Sequence, residues 1–148
     1  MIDRDITDKW NNFPKYTRRQ VLARFLVQHE LFKLQLNIKG SIVECGVHHG
    51  SGVMTWAKLS SIMEPYNYHR QVIGFDTFSG FPSISTLDTQ TINESKPSVG
   101  DFNLEYDVVN ELNTCIHEFD SDRPISHKEK VILIKGDANK TIPEYIKN

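Results

Sequence analysis

Hydrophobic positions along the chain fall into three short runs separated by stretches of helical period. The runs are Ser41 to Cys45, Val72 to Asp76, which ends in an acid, and Val131 to Lys135, and each has the length of a buried parallel strand. Between them the apolar residues recur every three or four positions. Val21, Leu22, Phe25, Leu26, Phe32 and Leu36 predict a helix over 17–36, and Val53, Met54, Ala57, Leu59 and Ile62 another that Pro65 stops. A third runs from Tyr106 to Phe119 with Val109, Leu112, Cys115, Ile116 and Phe119 inward, and Thr141 and Pro143 open a fourth. Residues 1–16 are polar and read as a lead-in arm. Residues 83–105 are rich in Ser, Thr, Asn and Gly and read as an exposed, variable loop. The order α-β-α-β-α-β-α predicts an α/β domain with a parallel sheet and right-handed crossovers. Ligands of such sheets bind at the carboxyl ends of the strands, where Glu44, Asp76 and Asp137 all fall.

The first strand end reads ECGVHHGSG. Gly46 lets the chain turn off the strand, and Gly50 and Gly52 allow close approach of ligand and helix. Glu44 beside this turn either holds an ammonium group or orders the loop. A Walker A loop would need Gly-Lys-Ser/Thr, and a dinucleotide fingerprint G-x-G-x-x-G; Gly46, Gly50 and Gly52 match neither. At the second strand end Asp76 suits a pair of ribose hydroxyls, and Phe78 either packs on a base or serves the core. At the third, Gly136-Asp137-Ala138 offers a carboxylate and a backbone N–H to an adenine edge, or forms a plain Asx turn. Together the three ends describe a nucleoside with a cationic amino-acid tail and no phosphate. S-adenosylmethionine fits that description.

Composition narrows the class. The 148 residues suit one domain, and the balance of 17 basic against 19 acidic residues gives −2, no electrostatic case for nucleic acid or an anionic membrane. No apolar run is long enough to span a bilayer, and the N-terminus lacks the pattern of a signal peptide. Cys45 and Cys115 stand far apart, the usage of a reducing, cytoplasmic compartment. Cys45 is expected to point into the sheet. The six histidines show no metal-ligand spacing.

The segments GSIVECGVHHGSG, VIGFDTFSGFP and VILIKGDANKTIP resemble the macrocin O-methyltransferase (TylF-type) family over residues 14–146. The resemblance implies a Rossmann-like methyltransferase fold, with 1–148 the N-terminal, cofactor-binding part of one domain. It implies S-adenosylmethionine-dependent methylation of a hydroxyl on a sugar or other small molecule. Carried over, Glu44, Gly46, Gly50, Ser51 and Gly52 line the methionine part, Asp76 takes the ribose with Thr77 and Phe78 beside it, Asp137 and Ala138 take the adenine, and Thr17 closes over the tail. The family's magnesium ligands and general base lie beyond the third strand, so a magnesium ion is implied only for a full-length form. The sequence therefore reads as a fragment or short form truncated after the third strand, and an open sheet edge would favour a homo-oligomer. The alternatives are a degenerate nucleoside-binding module without catalysis, a fragment that only mediates association, and, less well matched, a nicotinamide-dependent oxidoreductase.

Overall fold

The computed structural model of the chain describes residues 6–85 and 96–147. It divides into two compact units, Met1–Ile38 and Lys39–Asn148. The first holds the short helices α1 (Ile6–Asn11) and α2 (Phe13–Tyr16), where a lead-in arm was expected, and α3 (Arg19–Gln35). Residues 1–5 of that arm lie outside the described residues. Phe13 meets Phe25 edge to face at 6.4 Å. Of the apolar face expected on α3, Phe32 is fully buried, but Val21 and Leu26 are exposed. The helix carries apolar side chains on more than one side, so a single stripe does not form.

The second unit has β1 (Ile42–Cys45), α4 (Ser51–Met63), β2 (Val72–Asp76), α5 (Val108–Ser121), β3 (Val131–Lys135) and α6 (Ala138–Lys147). Among the described residues the sheet has three parallel strands in the order β1-β2-β3. Only the central strand β2 is buried throughout its apolar run. The core joins Val47, Val53 and Ala57 to Val72, Val131 and the α5 residues Val108, Leu112 and Ile116. Those last three follow the i, i+4 spacing of one helix face, which leaves Cys115 exposed rather than inward. Cys45 is exposed too, contrary to expectation. β1 has a bonded neighbour on one side, and its residues alternate half-buried and exposed. Helix α6 starts at Ala138, earlier than Thr141, because Asp137 Oδ1 accepts from the Asn139 N–H at 3.0 Å and opens the first turn. Pro143 then lies inside the helix.

The amino ends of the strands are held by buried charge. Arg70 donates to Glu64 through Nε at 2.8 Å and Nη2 at 3.2 Å, and through Nη1 to the Gly40 carbonyl at 2.9 Å. Burial alone would raise the Glu64 carboxyl, but hydrogen bonds from Arg70 and Asn67 outweigh it and hold Glu64 below its usual value. Lys130, just before β3, is 3% exposed and donates to the Asn67 carbonyl at 2.8 Å. Desolvation, with the nearby Arg123 charge, pulls its pKa from 10.5 to about 8.

Lys130 thus binds its proton less readily folded than unfolded. Between about pH 8 and 10.5 the unfolded chain holds more protons, so stability rises with pH there and is lost as pH falls through about 8. The gain expected is roughly 1–3 kcal/mol. Urea unfolding at pH 7.5 and 9.5 checks it: relative to wild type, Lys130→Met should lose ground by that amount at the higher pH. An identical difference at both pH values would refute the assignment.

Candidate functional site

The carboxyl ends of the three strands open into one pocket of about 530 Å³, lined wholly by the second unit. Its size suits a ligand of nucleoside dimensions. The middle of the floor is Asp76, the last residue of β2. Its Oδ2 accepts from the His48 N–H at 2.8 Å and its Oδ1 from the Phe78 N–H at 2.7 Å. Both donors sit in the left-handed region, each at φ 53°. That backbone is costly for residues with side chains, and charge-assisted hydrogen bonds to one carboxylate offset it. A carboxylate has about four acceptor positions, so Asp76 retains capacity for ligand hydroxyls.

The glycines after β1 serve different ends. Gly46 has φ +83° with open space where a Cβ would stand, and it faces the pocket. Gly50, at φ +82°, precedes α4, and a Cβ there would overlap the Leu112 side chain. A Cβ at Gly52 would run into the Glu44 carboxylate. Glu44 Oε2 accepts from the Trp56 indole at 2.9 Å, so the acid is turned toward α4. Ser51 is the exposed first residue of that helix.

Gly136 continues the sheet by donating its N–H to the Asp76 carbonyl at 2.8 Å. Asp137, Ala138 and Asn139 then form the third side of the pocket. Thr77 Oγ1 donates to the Gly80 carbonyl at 2.6 Å and shapes the turn after β2. Thr17 belongs to the first unit, extended after α2, with its N–H donated to the Phe13 carbonyl.

Of the residues singled out from sequence, the structure therefore brings Gly46, Asp76, Thr77, Phe78, Asp137 and Ala138 to one pocket. Glu44, Gly50, Ser51, Gly52 and Thr17 are not among its lining residues. Sequence reasoning missed Phe81, Phe102, Leu104 and Asn139. Residues 86–95 of the loop that contains two of them lie outside the described residues. The alternation Phe102-x-Leu104-x-Tyr106 was the available signal, an apolar pattern just before a helix. No lysine or arginine stands among the described residues that line the pocket, and no group of three or more His, Cys, Asp or Glu among the described residues could hold a metal ion. No described helix is long and apolar enough to cross a membrane.

A three-stranded parallel sheet with flanking helices and a ligand-sized pocket at its carboxyl edge is a Rossmann-like α/β arrangement, and its likeness to solved methyltransferases makes it a methyltransferase-type fold. No family model matches the chain, and no curated protein matches it significantly. Among solved structures it is similar to the calicheamicin methyltransferase CalS11, with 29% identity and a TM-score of 0.87 over 98% of this chain and 56% of that one. An apo structure of CalS11, described as a TDP-rhamnose 3'-O-methyltransferase of calicheamicin biosynthesis, matches with 24% identity and a TM-score of 0.77 over 99% and 53% of the two chains. At that identity the second likeness speaks for the fold alone. The chain spans about half the length of the solved structures it matches.

The fit of Gly50 between the loop and α5 is testable. Gly50→Ala forces a left-handed alanine and crowds buried Leu112. Together these should cost about 2–4 kcal/mol. Leu112→Ala in the same chain should relieve the crowding, so the double variant should be more stable than the sum of the single losses predicts. Strict additivity in urea unfolding would contradict the contact.

Proposed function

We propose that the pocket binds S-adenosylmethionine, and that the protein takes part in methyl transfer to a hydroxyl of a sugar or another small molecule. The observation that carries this reading is the pair of carboxylates, Asp76 and Asp137, at neighbouring strand ends of a pocket whose described lining has no lysine or arginine. Such a site suits hydroxyls, an exocyclic amino group and a flat base, and it disfavours phosphates. The open cradle at Gly46 lets a ligand approach the backbone. The likeness to CalS11 supports the same reading.

Asp76 would accept the ribose hydroxyls, and Asp137 with the Ala138 N–H would read the adenine edge. Gly46 would give the amino-acid tail room beside the amino end of α4. Glu44 would act on that tail indirectly, by fixing the helix through Trp56 and Gly52. When bound, the cofactor supplies a methyl group on a sulfonium, an electrophile for the acceptor oxygen. The acceptor is a small molecule, of which a nucleotide-linked deoxysugar such as TDP-rhamnose is the first to test. No nucleic-acid or membrane partner is called for, and β1, which pairs on one side among the described strands, suits self-association.

A second reading is a nucleoside-binding module without transfer. Calorimetric titration with S-adenosylmethionine and S-adenosylhomocysteine tests what the two readings share. Wild type should bind both, and Asp76→Ala should weaken binding at least tenfold. Because Asp76 also holds two loops, Ala138→Leu serves as a second variant: it fills the pocket and removes no side-chain hydrogen bond. Loss of binding in both variants supports the site. Absence of binding by folded wild type refutes it. Transfer of a labelled methyl group to the sugar nucleotide then separates enzyme from module.

A further inference from the structure

The least economical residue in the described structure is Phe102. It stands at the third position of a four-residue turn closed by the Asn103 N–H on the Gly100 carbonyl at 3.1 Å, with φ 64°. Turns with positive φ at that position ordinarily use Gly or Asn, and a bulky side chain there is an outlier. The residue is also 67% exposed although it lines the pocket. It therefore combines backbone strain with an apolar face left in water. Neither is compensated by burial in the protein itself.

What surrounds Phe102 is ordered. Its ring meets Phe81 edge to face at 5.3 Å and His48 at 6.0 Å. Phe81 and the turn exchange backbone hydrogen bonds, Phe81 N–H to the Asp101 carbonyl and Gly100 N–H to the Phe81 carbonyl, both at 3.0 Å. A Cβ on Gly80 would collide with the carbonyls of Gly100 and Asp101, so the turn after β2 and the Gly100–Asn103 turn are tightly apposed. Four residues further on, Tyr106 Oη shares a hydrogen bond of 2.8 Å with His49 Nδ1, and the two rings stack at 6.0 Å and 23°. The glycine loop thus grips this segment at two points, His48 on Phe102 and His49 on Tyr106.

We infer that Phe102 is a ligand-contact residue, held over the pocket at the cost of backbone strain so that its exposed face covers the nucleoside, and that Tyr106 is a positioning residue that latches its segment to the glycine loop. This rests on the nucleoside reading of the pocket. Strain clustered at one site is a known mark of function. Here all three non-glycine residues with positive φ among those described, His48, Phe78 and Phe102, line the same pocket. A flat base laid on an aromatic ring gains enough that truncating the ring should weaken binding by about tenfold or more.

The test combines affinity, stability and exchange. Phe102→Gly relaxes the turn, so its melting temperature should equal or exceed that of wild type while its affinity for adenosine and S-adenosylhomocysteine falls about tenfold, chiefly through faster dissociation. A residue kept only for structure would move the melting temperature down and leave affinity alone, and that outcome overturns the proposal. Phe102→Trp should keep affinity, and its added fluorescence should be quenched by adenosine; no quenching counts against a stacked base. A loss confined to S-adenosylhomocysteine, with adenosine unaffected, would put the ring on the tail and refute the nucleoside contact. Tyr106→Phe keeps the ring and loses the hydroxyl. Hydrogen exchange of residues 96–106 should then quicken in the ligand-free protein, with the three strands unchanged. Unchanged exchange overturns the latch whether or not any ligand binds. If wild type binds no nucleoside while Tyr106→Phe still loosens the segment, the nucleoside reading and the contact role of Phe102 fail together, and the latch alone stands.

Discussion

The carboxylate of Asp76 is the constraint on which the candidate site depends. It ends the one strand buried through its whole apolar run, and each of its oxygens takes a backbone N–H from a different loop. Both donors are residues that would avoid left-handed backbone if nothing held them there. The carboxylate fixes the glycine loop through His48 and the turn after β2 through Phe78. The distance between those two loops sets the width of the pocket. A carboxylate suits this post because it accepts several hydrogen bonds at once. A residue able to accept only one could not hold both loops and still meet a ligand.

The two ends of the sheet divide the labour. At the amino ends, Arg70, Glu64, Asn67 and Lys130 form a closed set of buried charges and hydrogen bonds that ties the approaches to β1, β2 and β3 together. These groups are little exposed and none is in a left-handed conformation. At the carboxyl ends the backbone bends sharply, three side-chain-bearing residues sit at positive φ, and aromatic surface stays open. Removing one member of a buried ion pair leaves its partner uncompensated. The amino end is therefore poorly suited to change, whereas the carboxyl end holds strain that a ligand can make worthwhile.

Much of this was legible in the residues. The strands stand where short apolar runs were read, because β-branched and aromatic residues in short runs have few other ways to be buried. Asp76, Asp137 and Gly46 reached one pocket because the topology of a parallel sheet brings successive strand ends together. What sequence could not resolve was the second partner of each residue. Glu44 reads equally well as a ligand group or a loop post until Trp56 and Gly52 are seen against it. Cys45 reads as interior until β1 proves to alternate in burial. Phe102 was hidden in a stretch whose composition spoke of a polar loop, since the alternation Phe102-x-Leu104-x-Tyr106 is too short to outweigh the Ser, Thr, Asn and Gly before it.

The three glycines after β1 show how local chemistry divides a motif that looks uniform. Gly46 is open on its Cβ side and faces the pocket, so its lack of a side chain serves the ligand. Gly50 is closed off by Leu112, and Gly52 by the Glu44 carboxylate, so their lack of side chains serves packing. The packing glycines bring α4 close enough to Glu44 and α5 that the loop between them has little freedom. That confinement keeps the His48 N–H aimed at Asp76, and it lets His48 and His49 reach across to the turn that carries Phe102. Two glycines that never meet the pocket thereby determine where its roof can sit.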